Sequence, residues 1–258
     1  MKNIGIIGCG WLGLPLAKHL AAVYPVVKGT SRNAVTLADL QAHGVAAYPV
    51  ALSPNEIDAT FKAFIQNLTT IVIAVNASRS ESYFDTMQLL GQAIAKSTVK
   101  EVVFLSSTSV YSDLNQTLDE TDPVDETKLL VRVEAIFKNN AAFKTTILRL
   151  GGLVGPTRNP ITSLTGRNLD QNPNAPVNLV GLADCIGAIC AVIKKNCPAE
   201  IFNVVYPEHP TKLAYYTQAA KSRNLLPPTY NEQAPLQGKI VLSDKITQKL
   251  GYQFTDTI

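Results

Sequence analysis

The sequence predicts an α/β protein: a doubly wound parallel sheet of about seven strands, with a small loop-rich C-terminal lobe. Three observations predict it. Short runs dense in Val and Ile alternate with helix-period segments over about 150 residues. Gly8, Gly10 and Gly13 stand between the first such run and the first helical segment. Ten of the fifteen prolines fall after Gly151, in clusters such as "GPTRNP" and "LPPTYNEQAP".

The strands are expected at Asn3–Gly8, Pro25–Gly29, Ala46–Val50, Ile71–Val75, Val102–Ser106, Thr145–Leu150 and Ile201–Val205. Their apolar runs do not alternate clearly, which suits strands covered on both faces. Helices are expected at Leu12–Val23, Glu56–Gln66, Tyr83–Lys96, Lys128–Lys138 and Val180–Lys194. In the first, Leu12, Leu16, Leu20 and Val23 make one apolar stripe. Residues 1–155, completed by 177–205, are expected to form the core, and 156–176 with 206–258 the lobe.

Composition narrows the function. Hydrophobic residues make up 46% of the 258-residue chain and charged residues 17%, enough for a sizeable core. No apolar run reaches the roughly 20 residues of a membrane helix, and "MKNIGIIG" is too short for a signal peptide. A cytoplasmic protein is expected, with no membrane partner. Lys and Arg (23) exceed Asp and Glu (20) only slightly and without clusters, so no nucleic-acid surface is expected. Cys9, Cys185, Cys190 and Cys197 form no C-x-x-C pair and have no histidines at ligand spacing, so no metal is expected. G-x-S-x-G, H-E-x-x-H and Walker sequences are absent.

The strongest local signal is "NIGIIGCGWLGLPLAKHL". Gly8, Gly10 and Gly13 make G-x-G-x-x-G between strand and helix: Gly8 permits a tight turn, Gly10 a close approach to pyrophosphate, and Gly13 the packing of helix on strand. Together with Trp11 and Leu12 they frame a helix N-terminus that offers amides and partial positive charge to an anion. The pattern implies a Rossmann-type dinucleotide site. The end of the second strand decides which dinucleotide. Thr30 stands near the position where an NAD site carries an acid, and Ser31 and Arg32 follow. A guanidinium beside hydroxyls suits a 2′-phosphate, so NADP is favoured over NAD.

At this point the sequence resembles the short-chain dehydrogenase/reductase superfamily, in its extended, epimerase/dehydratase-like branch. The likeness is carried by the glycine loop, by "VVFLSSTSVYSD" (close to S-S-x-x-V-Y-G), by "TTILRLGGLVGPTRNP" and by "VNLVGLADCIGAICAVI". It implies hydride transfer at a nicotinamide, to or from a small carbonyl, alcohol or sugar-like compound. It places Ser107 at the family's catalytic Ser or Thr. It sets Asn76, Ala77, Ser78 and Ser106 along the cofactor, and Gly151, Gly152 and Leu153 at its nicotinamide end. A homodimer through core helices is a further family expectation.

One departure stands out. The family's acid/base is a Tyr with a Lys four residues later, and matching Val133 and Glu134 to the family helix puts Glu126 and Leu130 in those positions. Among the nearby titratable groups Glu126, Lys128, Arg132 and Tyr111, either Lys128 or Tyr111 could donate the proton if its pKa were depressed toward neutrality. Two further readings remain open: an NADP(H)-holding redox sensor without turnover, and a β-hydroxyacid dehydrogenase, whose start "GIIGCGWLGLPLAKHL" also resembles. The latter needs a long all-helical C-terminal domain.

Overall fold

The computed structural model describes residues 2–76, 81–256 and 258. Its centre is a seven-stranded parallel sheet. In chain order the strands are β1 (Ile4–Ile7), β2 (Val27–Thr30), β3 (Ala46–Tyr48), β4 (Thr70–Ile73), β5 (Glu101–Ser107), β6 (Lys144–Leu150) and β7 (Ile201–Val204). The order across the sheet is β7-β6-β5-β4-β1-β2-β3. The direction of growth reverses beside β1, between β2 and β4, which is the switch point where α/β sheets open a crevice. β1 and β4 are buried at every position, in keeping with their unbroken apolar runs.

The principal helices are α1 (Gly13–Ala21), α2 (Ala34–Ala42), α3 (Ala59–Ile65), α4 (Glu81–Ala95), α5 (Leu129–Lys138), α6 (Leu182–Lys195), α7 (Lys212–Lys221) and α8 (Asp244–Leu250). Side-chain oxygens start several of them. Asn33 accepts from the amides of Val35 and Thr36, Asp58 from Phe61, and Thr211 from Ala214, each satisfying an amide that lacks an intrahelical acceptor.

The chain divides into two compact units. The first comprises Met1–Ser106, Asp125–Leu148 and Ile189–Ile201. Its core joins Phe61, Phe64, Phe104, Phe137, Leu90 and Ile147, with the Phe104 and Phe137 rings stacked at 5.0 Å. α4 lies close on α5, and a Cβ at Gly91 would sit 3.0 Å from Ile136.

The second unit comprises Ser107–Val124, Arg149–Ala188 and Phe202–Ile258. It is pinned by two-stranded parallel pairs: Gly152–Val154 with Leu179–Gly181, Asn168–Leu169 with Thr229–Tyr230, and Gln116–Leu118 with Lys239–Val241. A small core of Val154, Ile161, Val177, Leu179, Tyr215 and Tyr216 fills it. These pairings draw 107–124 and 177–188 into the second unit, although the sequence pattern groups them with the sheet. Three-residue strands far apart in the chain carry no period by which to foresee them.

Candidate functional site

The glycine turn belongs to the first unit. After β1 the chain reaches Gly8 at φ 94°, a left-handed conformation, and a Cβ there would lie 2.9 Å from the carbonyl of Ala74. A Cβ at Gly13 would run into the carbonyl of Gly8, so α1 can start this close to β1 only on a glycine. Gly10 differs: a Cβ there meets nothing within 4 Å. The turn closes through Gly10 N–H on Gly8 O at 2.8 Å and Leu14 N–H on Gly10 O at 3.0 Å. α1 has no side-chain cap at Leu12 and no acid in its first turn. Partly buried Trp11 and buried Leu12 complete the bend. An exposed Gly10 with open space above it, before an uncapped helix, is a cradle that fits a diphosphate.

Thr30 supports this turn from below. It is 3% exposed, its hydroxyl accepts the amide of Gly8 at 3.0 Å, and its carbonyl accepts that of Cys9 at 2.8 Å. Both oxygens of Thr30 thus hold the loop. Beyond it Ser31 Oγ accepts from Asn33 N–H at 3.2 Å, and Asn33 caps α2. Arg32 projects from this fixed bend and is exposed. Cys9 is packed beneath the turn, and burial pushes its thiol up to about 12. Asn76, after β4, is exposed, whereas Ala77 and Ser78 lie outside the described residues.

The two serines ending β5 point to opposite sides, as strand alternation requires. Ser106 is 7% exposed, and its hydroxyl donates to Glu134 Oε1 of α5 at 2.5 Å. The Ser106 side chain therefore faces α5. Glu134 is itself 4% exposed. On α5, Leu130 packs against the core of the first unit, while Glu126 is exposed before the helix. Lys128 stands at the helix start, partly exposed, with Nζ 3.8 Å from Asp125 Oδ2.

In the second unit, partly exposed Ser107 accepts from the amide of Ser109 at 3.1 Å and so starts the turn Thr108–Val110. Tyr111 is wholly buried. Its hydroxyl donates to Asn203 Oδ1 at 3.0 Å and accepts from Arg149 Nη1 at 2.9 Å. Burial raises the phenol above its ordinary value, outweighing the nearby Arg149 guanidinium. Tyr111 is thus placed in the interior of the unit, with its hydroxyl engaged by Asn203 and Arg149. Glu120 accepts the amide of Asn203 at 2.6 Å, and burial raises its carboxyl too.

The glycines after β6 form a ledge within the same unit. Gly151 N–H donates to Val204 O at 3.0 Å and Gly152 N–H to Asn178 O at 2.8 Å, while Leu153 pairs in register with Val180. Gly151 is buried and Gly152 exposed. Asn178 braces the ledge, donating to Lys239 O and accepting from Val241 N–H, both at 2.8 Å. Lys239 Nζ donates in turn to Tyr111 O at 2.8 Å and pairs with Asp113 at 3.0 Å. Sequence reasoning missed Glu134, Arg149, Asn178, Asn203 and Lys239. Glu134 and Arg149 stand inside apolar runs, a signal of buried polar partners; the other three carry none.

Among the described residues no group of three or more His, Cys, Asp or Glu side chains could hold a metal ion. No described helix is long and apolar enough to cross a membrane. No protein-family model matches the chain. Protein YeeZ of Escherichia coli strain K12 is 31% identical over 264 residues, covering 98% of this chain and 96% of that protein. Among solved structures, UDP-glucuronic acid 4-epimerase from Bacillus cereus, in complex with UDP-glucuronic acid and NAD, superposes with a TM-score of 0.81 at 15% identity, covering 99% of this chain and 95% of that one. The dTDP-glucose 4,6-dehydratase DesIV from Streptomyces venezuelae, with NAD bound, gives 0.81 at 17% identity, covering 99% and 93%. Those likenesses establish a Rossmann-type fold, and identity along nearly the whole length establishes kinship: the chain belongs to the family of Escherichia coli protein YeeZ.

Proposed function

We propose that this protein is an NADP-dependent oxidoreductase acting on a small carbonyl, alcohol or sugar-like compound. The observation that carries the reading is the open space over Gly10. Gly8 and Gly13 are glycines because the fold leaves no room for a side chain, but Gly10 is constrained by nothing in the chain itself. A ligand that needs the backbone bare accounts for it. Arg32, on a bend fixed by Ser31 and Asn33, supplies a cation where an adenosine 2′-phosphate would need one.

When bound, the nicotinamide supplies the hydride chemistry. The protein's part is positioning and proton handling. The Ser107 hydroxyl polarises the substrate oxygen. Of the two donors the sequence suggests, Tyr111 is enclosed and Lys128 is partly exposed, so Lys128 is the proposed proton donor.

Trp11 reports on the loop directly. Titrating the purified chain with NADPH and NADH should give a saturable change in its fluorescence, with NADPH binding at least about tenfold more tightly. Arg32→Ala should remove most of that preference. No saturable change with either nucleotide overturns the proposal.

A second reading is favoured by the family's Lys position being filled by core-packed Leu130: a redox sensor that holds NADP(H) without turning it over. It requires NADP⁺ and NADPH to bind with unequal affinity and to change assembly or partner binding. NADPH consumption with any member of a carbonyl panel eliminates it. The β-hydroxyacid dehydrogenase reading does not fit, because β7 and several short strands lie where a long all-helical domain is needed.

A further inference from the structure

A groove of about 540 Å³ lies on the first unit between α3 and α4, away from the glycine turn. It exists because α3 is short. The helix ends at Ile65, and Asn67 at φ 60° turns the chain toward β4. α4 continues for fifteen residues. Met87, Leu90 and Ile94 sit in the core, while Leu89 and Ala93, one helical turn apart, line the groove, Ala93 also packing against the core. Opposite them lie Ile57, Phe61 and Ile65.

The rim is chemically one-sided. Lys62 and Lys96 stand on it, and among the described residues no Asp or Glu lines the groove. Three lysines of this unit have carboxylate partners, Lys2 with Glu101, Lys18 with Asp39 and Lys128 with Asp125, while others such as Lys100 and Lys144 have no such partner among the described residues. Among the described residues, Lys62 and Lys96 have none. Nor is Lys62 needed to satisfy the end of α3, because Lys28 Nζ already donates to the carbonyls of Phe64 and Gln66 at 3.1 and 2.9 Å. Solvated lysines alone would mean little. Two unpaired ammonium groups flanking an apolar trough match a ligand with an apolar body and a negative end.

We propose that this groove binds amphiphilic monoanions, with an acyl chain or comparable apolar body along Leu89, Ala93 and Ile57, and a carboxylate between Lys62 and Lys96. The inference is independent of the proposed oxidoreductase function. The size lies within the range of small-ligand sites, and charge selects anion over cation or neutral amphiphile.

Decanoate is the probe, with decanol as the uncharged control, titrated calorimetrically into the full-length protein. Saturable one-site binding of decanoate is expected, with decanol at least about tenfold weaker. The double variant Lys62→Glu/Lys96→Glu should lose about tenfold or more in decanoate affinity. Ala93→Trp, which fills the trough from a partly exposed position, should abolish binding. Unchanged circular dichroism and melting temperature show that both variants are folded. No saturable heat with decanoate, or equal affinity in the charge-reversed variant, overturns the proposal. So does a concentration-dependent dimer in sedimentation that Ala93→Trp dissociates, because a second copy would then be the occupant.

Discussion

Asp184 and Asp256 cap one another's backbone. The Asp256 carboxylate accepts the amides of Ala183 and Asp184 at 3.2 and 3.4 Å, at the start of α6. The Asp184 carboxylate accepts the amide of Asp256 at 3.1 Å, together with the Tyr252 hydroxyl and the Thr255 amide at 2.7 and 2.8 Å. Gly181 and Gly187 let the segment lie this close, because a Cβ at Gly181 would collide with Asp256 and one at Gly187 would come within 2.6 Å of Tyr252 Oη.

Asp184 is wholly buried, so Asp184→Ala leaves several donors without an acceptor. A loss of about 3 kcal/mol is expected, read from the urea midpoint. Asp256→Asn keeps one acceptor oxygen and should lose only about 1 kcal/mol. Equal losses in the two variants would contradict this division of labour.

The glycine turn separates folding from binding. Gly13→Ala forces a methyl into the carbonyl of Gly8 and should destabilise the protein by about 1–3 kcal/mol. Gly10→Ala meets no protein atom within 4 Å, so its melting temperature should stay close to that of the parent. Its NADPH affinity should nonetheless fall by about tenfold or more, because the methyl takes the ligand's place. A Gly10→Ala protein with undiminished affinity would empty the cradle of its meaning.

Ser106 supplies a control within the same region. Its hydroxyl donates to buried Glu134, so Ser106→Ala withdraws a donor from an enclosed carboxylate, at about 1–3 kcal/mol of stability. The NADPH titration of the variant should match the parent. A selective loss of affinity at unchanged stability would return Ser106 to the cofactor.

His209 gives the fold a pH dependence. Burial lowers its imidazole below the ordinary 6.5, only partly offset by its hydrogen bond with the Val177 carbonyl. As pH falls, the unfolded chain binds this proton first. Its contribution to stability is therefore complete above 6.5 and declines as pH falls from there toward the lower folded value. Urea midpoints across this window should fall more for the parent than for His209→Asn.

All seven sheet strands were legible from apolar runs, with no end shifted by more than two residues. α2 was not foreseen, although Asn33 signals its start: its weak apolar stripe gives no period, and only Leu40 is buried. α7 and α8 follow proline-rich stretches that read as loop. The glycine turn was legible because its constraint is local, three glycines in six residues. The partners of Thr30, Ser106 and Tyr111 were not, because each lies more than twenty residues away in the chain. Alternation along β5 could have separated Ser106 from Ser107, since one of two successive side chains must turn from any site on that sheet face.

The knot between Thr30 and Gly8 limits how coenzyme preference could be re-engineered. An acid grafted at position 30 would bury a charge and unhook the amide that shapes the loop. Retuning must instead work outward from the bend at Ser31 and Arg32, where a side chain can change without disturbing the scaffold beneath.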